Sequence, residues 1–155
     1  MWWRLKRSDY EKMKGTKNKN AMKKLVNSGI SPGLLFYSGK IPFAWCSLGP
    51  RDNYPVLERS RVLKRIDDKS VWSIVCFFML KEYRNKGISK FIISSAIKYA
   101  GSKGASTLEA YPVAPKTDKM PAVFAWTGFE KAFKTCGFKE VERRSETRPI
   151  MRYYI

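Results

Sequence analysis

The chain has no histidine, and that absence excludes a great deal of chemistry. Serine or cysteine nucleophiles activated by an imidazole, histidine metal sites and an imidazole general base are all ruled out. Cysteine is sparse: Cys46, Cys76 and Cys136 are odd in number, widely spaced and flanked by apolar residues. They read as reduced core thiols, neither a disulfide framework nor a zinc site. No long apolar run occurs either. The longest uncharged one, VWSIVCFFML at 71–80, is about half the roughly 20 residues that a membrane-spanning helix requires. The opening MWWRLKR lacks the apolar stretch of a signal peptide, so a soluble, cytoplasmic protein is expected. Acidic residues are scarce too, 13 against 31 lysines and arginines, which leaves a net charge of +18. Such a surface attracts polyanions, whether nucleic acid, phosphorylated cofactors or acidic partners. Lysines cluster at 12–24, and Arg59, Arg61, Lys64 and Arg65 form a second group. No nucleic-acid-binding motif accompanies them, and no aromatic residues interleave with them as stacking would require.

What is present suits one domain spanning 1–155, with 44% hydrophobic residues to fill its core. A lysine-rich helix is predicted from about Arg7 to Val26, ended by the turn chemistry of NSGISPG. Residues 33–50 split at Ser38-Gly39-Lys40 into two apolar runs, the pattern of an antiparallel hairpin. The segment at 71–80 is β-branched and aromatic at alternate and adjacent positions alike, which predicts a strand buried on both faces. From Gly87, Ile88, Phe91, Ile92, Ser95, Ala96, Tyr99 and Ala100 recur at three- and four-residue spacings and predict an amphipathic helix. STLEAYPV is the next strand, and a proline-bearing loop follows. A helix at about Thr127–Thr135, stopped by Gly137, and two final strands around a turn complete the chain. Strand, helix and strand in the centre form a crossover between neighbouring, parallel strands.

The seam of that crossover, MLKEYRNKGISKFIISSAI at 79–97, sets Arg84, Lys86, Gly87 and Lys90 where a helix begins. The first amides of a helix have no intrahelical partner and carry part of the positive end of its dipole, so an anion is stabilised there. A glycine lets that anion approach the backbone. A phosphate or pyrophosphate is the natural occupant.

With this context, the chain resembles the GNAT superfamily of acetyl-CoA-dependent N-acetyltransferases. The family's signature is Arg or Gln, two residues, Gly, one residue, then Gly or Ala, between a buried strand and a helix. Arg84, Asn85, Lys86, Gly87, Ile88 and Ser89 match it, with Ser89 in place of the last small residue. Together with LEAYPV, FKTCGF and RPIMRYY, these segments look like one bacterial branch of the family. The resemblance implies an α/β (α+β) fold: a mixed, strongly twisted sheet of six to seven strands flanked by helices on both faces. Coenzyme A would lie in the splay between two central parallel strands. Cys76, Phe77, Phe78 and Met79 would offer backbone bonds to the pantetheine arm, amides from Arg84 to Lys90 would hold the pyrophosphate, and Phe133 would border the cofactor.

The resemblance further implies direct attack of an amine on the thioester, with no metal and no acyl-enzyme. Glu109 is then the first candidate for general base, since burial would raise its pKa. Relatives often use a tyrosine four residues before a Gly-Phe pair to protonate the thiolate. Here that position is Phe133, so water or another hydroxyl such as Tyr111 would serve. Asp118 falls in the loop expected to border the acceptor, and Trp45, Trp72 and Trp126 are candidates for a substrate pocket. The cationic surface disfavours polycationic acceptors and suits a small or neutral amine, bound by a monomer or a homodimer. Two other readings stay open: a basic nucleic-acid-binding module, and a protein that binds coenzyme A without turnover.

Overall fold

The computed structural model describes residues 1–116 and 125–155. Asp118 therefore lies outside the described residues. Two short helices come first, α1 (Arg7–Lys12) and α2 (Thr16–Asn27), where the sequence predicts one. Gly15, at φ 74°, breaks the run, because its backbone takes a left-handed turn that a helix cannot propagate. The hairpin follows as β1 (Gly33–Ser38) and β2 (Ile41–Pro50). A single 3-10 turn and the short helix α3 (Pro55–Arg59) lead towards β3 (Trp72–Met79). The crossover helix α4 (Ile88–Ser102), β4 (Thr107–Ala110), α5 (Glu130–Thr135), β5 (Lys139–Glu142) and β6 (Ile150–Tyr154) complete the order.

The six strands make one mixed sheet in the order β1-β2-β3-β4-β6-β5, within the expected number. β3 and β4 are its parallel pair, joined through α4, and the other neighbours run antiparallel. One face packs on α4 and α5 through Leu48, Ile74, Ile92, Ala96, Leu108, Phe133 and Met151. Tyr54, Leu57, Leu63, Val75, Tyr111 and Ile150 form the core of the opposite face, beside α3. Trp72 packs edge-on against Tyr99 of α4 and belongs to the first core.

Strand register sets where the sheet opens. β3 pairs with β4 at Trp72↔Leu108, Ser73↔Glu109 and Ile74↔Ala110, and the pairing ends there. At the same level the β2 register slips from Ser47↔Cys76 to Leu48↔Ile74, leaving Val75 as the extra residue of a bulge. A bulge bends and further twists its strand, so the second half of β3 diverges from the line of β4. Burial records the divergence: Ser73, Ile74 and Val75 are buried, whereas Phe78 is 54% exposed. Burial on both faces thus holds for the first half of the strand only.

Candidate active site

A cleft of about 530 Å³ opens where β3 and β4 part, a size typical of cofactor sites. Phe77, Phe78 and Met79 form one wall, Arg84, Asn85, Gly87, Ile88 and Ser89 the next, and Ile92 and Ile93 of α4 the floor. Of the residues expected at a cofactor, Cys76, Lys86, Lys90 and Phe133 are not in this lining. Lys86 and Lys90 are exposed beside it, and Phe133 is fully buried between Phe77 and Phe138.

The seam has an unusual backbone at the start of α4. Gly87 stands at φ 73° and Asn85 at φ 59°, with Lys86 between them at negative φ. Alternation of this kind turns successive amides towards one concavity. No side chain caps α4, so the amides of Ile88 and Ser89 remain open to the cleft, while the Lys90 amide donates to the Gly87 carbonyl at 3.2 Å. Arg84 donates its Nε to the Met79 carbonyl at 2.9 Å, which ties the guanidinium to the end of β3.

Ala125, Trp126, Gly128, Phe129 and Ala132 complete the lining, and none of them was read from the sequence as a cofactor residue. Their placement depends on backbone pairing across the splay. The Phe77 amide donates to the Trp126 carbonyl at 2.6 Å, and the Val113 amide to the Gly128 carbonyl at 2.9 Å. Successive strand residues point their amides to opposite edges, so Phe77 faces the splay and Phe78, opposite Trp45, faces β2. Gly128, at φ 80°, lies between two rings: an added Cβ would come within 2.9 Å of Phe133 Cε2 and 3.0 Å of Phe77 Cε2. Gly128→Ala is therefore expected to destabilise the chain by about 1–3 kcal/mol, read as a lower urea midpoint at unchanged m-value.

A second, smaller cavity of about 170 Å³ lies beyond Trp126, which borders both. Trp3, Arg4, Met22, Trp45, Ser47, Tyr54 and Cys76 also line it. Trp3 and Trp126 pack with ring centroids 5.3 Å apart. Burial pushes the Cys76 thiol up to about 11, so it stays protonated and is a poor nucleophile. Cys46 is fully buried, whereas Cys76 and Cys136 are only half-buried.

Glu109 and Tyr111, expected as base and acid, line neither cavity. Leu108 and Ala110 face α4, so the alternation of β4 turns Glu109 to the opposite face. There it is 1% exposed, and both of its oxygens are occupied. Oε1 accepts from Arg51 Nη1 at 2.7 Å and from the Tyr111 hydroxyl at 2.6 Å, and Oε2 accepts from Arg152 Nε at 2.8 Å. Arg51 also bonds Glu58, the Leu63 carbonyl and the Tyr111 oxygen, while Arg152 grips Asp67 through both Nη atoms. Burial and the Glu109 charge push the Tyr111 hydroxyl well above its ordinary value. Glu109 lines neither cavity, and both of its oxygens are engaged by Arg51, Tyr111 and Arg152. The sequence gives no sign of this, because Arg51 and Arg152 come from distant segments.

The chain matches the model of the acetyltransferase (GNAT) family over residues 1–129. Among curated protein sequences no match is found. Solved structures share the fold. The PaiA N-acetyltransferase from Thermoplasma acidophilum, in complex with coenzyme A, is 17% identical with a TM-score of 0.56, over 97% of this chain and 80% of that one. Arabidopsis thaliana NAA60, in complex with acetyl-CoA, is 15% identical with a TM-score of 0.51, over 97% and 96%. A ribosomal-protein-alanine N-acetyltransferase from Brucella melitensis is 14% identical with a TM-score of 0.54, over 89% and 76%. A family model that covers most of the chain, together with a splayed parallel pair and an uncapped crossover helix, places this protein in the GNAT acetyltransferase family.

Proposed function

We propose that the protein is an acetyl-CoA-dependent N-acetyltransferase that acts on a small primary amine in a ternary complex. The observation that carries the proposal is the 530 Å³ cleft, which has the open edge of β3 at one end and the uncapped start of α4 at the other. The amides of Asn85 to Ser89 hold the pyrophosphate, assisted by Arg84. The edge of β3 from Phe77 to Met79 takes the pantetheine arm as an added strand would be taken, through main-chain bonds. No residue cluster able to hold a metal ion occurs among the described residues, and the reaction needs none.

Acetyl-CoA supplies an activated acyl group with a thiolate leaving group. The amine nitrogen bonds to the carbonyl carbon, the carbon–sulfur bond breaks, and the amine's proton ends on the sulfur through solvent. Polarisation of the carbonyl falls to the Phe77 amide, since the Phe78 amide faces β2. The Trp126 carbonyl must then release it, which links acetyl binding to a shift of the 125–129 segment. Phe133 offers no hydroxyl and Tyr111 lines neither cavity, so neither of these two residues serves the leaving thiolate. The small cavity beyond Trp126 receives the amine. We place this activity in the cytoplasm, where acetyl-CoA is available and free cysteines persist. The nucleic-acid reading loses support at the second basic cluster, where Arg65 pairs with Asp52 at 2.7 Å and with Glu58 at 3.4 Å.

Calorimetric titration with acetyl-CoA and with desulfo-CoA, at two salt concentrations, tests the proposal. Micromolar binding of both is expected, and no binding at either salt concentration overturns it. Thiol release with amines then separates an enzyme from a protein that only binds coenzyme A.

A further inference from the structure

We infer that the small cavity selects an aromatic primary amine that also carries a carboxylate, with Arg4 as the partner of that carboxylate. The inference rests on the acetyltransferase reading and concerns only its acceptor. At about 170 Å³ the cavity is well below the roughly 300–1,000 Å³ of sites for drug-sized ligands, so a small acceptor fits it. Its walls are Trp3, Trp45, Trp126 and Met22, flat or adaptable apolar surfaces that suit a ring.

Charge decides the rest. Arg51, Arg65, Arg143 and Arg152 each pair with a carboxylate. Arg4 pairs with none among the described residues. It stacks 4.7 Å from the centre of the Tyr54 ring and makes two long bonds, 3.3 Å to the Tyr54 hydroxyl and 3.5 Å to the Asn53 carbonyl. The guanidinium is thus held in position with no carboxylate among the described residues to answer its charge, and most of its five donors remain for a planar anion. Trp3, in the same lining, has its Nε1 shut off from water with no acceptor among the described residues. Neither cavity has an aspartate or glutamate in its described lining, so a polycation meets Arg4 with no carboxylate among the described lining residues to offset the repulsion. An amine at the Trp126 end and a carboxylate at the Arg4 end satisfy both requirements.

The test uses the full chain, acetyl-CoA and matched probes: phenylalanine and tryptophan against phenethylamine and tryptamine, which lack the carboxylate, with spermidine as the polycation. Thiol release should show a KM about tenfold lower for each acid than for its decarboxylated partner, the size of one charge-assisted pair. Arg4→Gln should bring that ratio to near one, and Arg4→Lys should restore part of it. Faster turnover of spermidine, or a carboxylate preference that survives Arg4→Gln, overturns the inference. Where no probe is turned over, phenylalanine is titrated into the protein already loaded with coenzyme A; binding weakened by Arg4→Gln supports the inference, and no binding overturns it. Failure of acetyl-CoA itself to bind strikes the acetyltransferase reading instead, so the two failures are distinguishable.

Discussion

Valine in place of Gly87 is expected to weaken acetyl-CoA binding by a factor of about 100 or more while the chain still folds. Gly87 sits at φ 73°, ψ 0°, where a β-branched residue is strained. A Cβ there would meet no protein atom within 4 Å, so the core does not resist the substitution. The space that it enters is the mouth of the cleft, where an anion must approach the first amides of α4. Two effects therefore coincide: the side chain blocks the approach, and relaxation of φ turns the amides away from their common target. Stability should fall by only about 1–2 kcal/mol, the ordinary penalty for a left-handed non-glycine residue. Arg84→Ala, which removes one charge and its tie to the Met79 carbonyl, should weaken binding about tenfold. Calorimetry measures the affinity, and a urea curve on the same samples confirms the fold. Retained affinity in the Gly87→Val, Arg84→Ala double variant removes the pyrophosphate assignment.

What the sequence revealed was local. A helical stripe after Gly87, a hairpin at Ser38-Gly39-Lys40 and a strand buried in its first half each depend on neighbours within a few residues, and the signature at the seam is itself contiguous. What it concealed depends on long-range pairing. The bulge at Val75, which begins the splay, exists only in the register between β2 and β3. The bond from the Phe77 amide to the Trp126 carbonyl joins segments distant in sequence and brings in lining residues that carry no motif. Glu109 shows the difference most directly. A carboxylate in an apolar strand reads as a perturbed base when its partners are unseen, and those partners lie 58 and 43 residues away in sequence. Trp45 and Trp126 do line cavities, whereas Trp72 is packing, and nothing in their immediate neighbours separates the three.

Glu109→Gln is accordingly expected to lower stability by about 3–5 kcal/mol, the usual consequence of breaking a buried ion pair, and to leave the pH dependence of turnover unchanged. Two guanidinium groups, each with side-chain exposure of no more than 3%, would then face a neutral amide. One of its acceptor positions becomes an NH₂ group aimed at a donor, so desolvation of Arg51 and Arg152 is no longer offset. Against a total stability of roughly 5–15 kcal/mol the loss is large, and the thermal midpoint should drop by something on the order of 10 °C. A variant that keeps its midpoint but loses turnover, with the acid limb of its pH–rate profile flattened, would return Glu109 to the role of general base. The same network sets the acid side of the stability curve. Hydrogen bonds from Arg152 hold the Asp67 carboxyl down at about 2, below its ordinary 3.8. A group depressed on folding stabilises the native state when ionised, so its contribution is complete above about pH 4 and disappears as pH falls towards 2. Asp67 is 36% exposed, so solvent screens the pair and the effect is modest. Asp67→Asn should flatten the decline in stability between pH 4 and pH 2, whereas Glu109→Gln should lower stability at neutral pH, because it leaves Arg51 and Arg152 buried without their shared carboxylate.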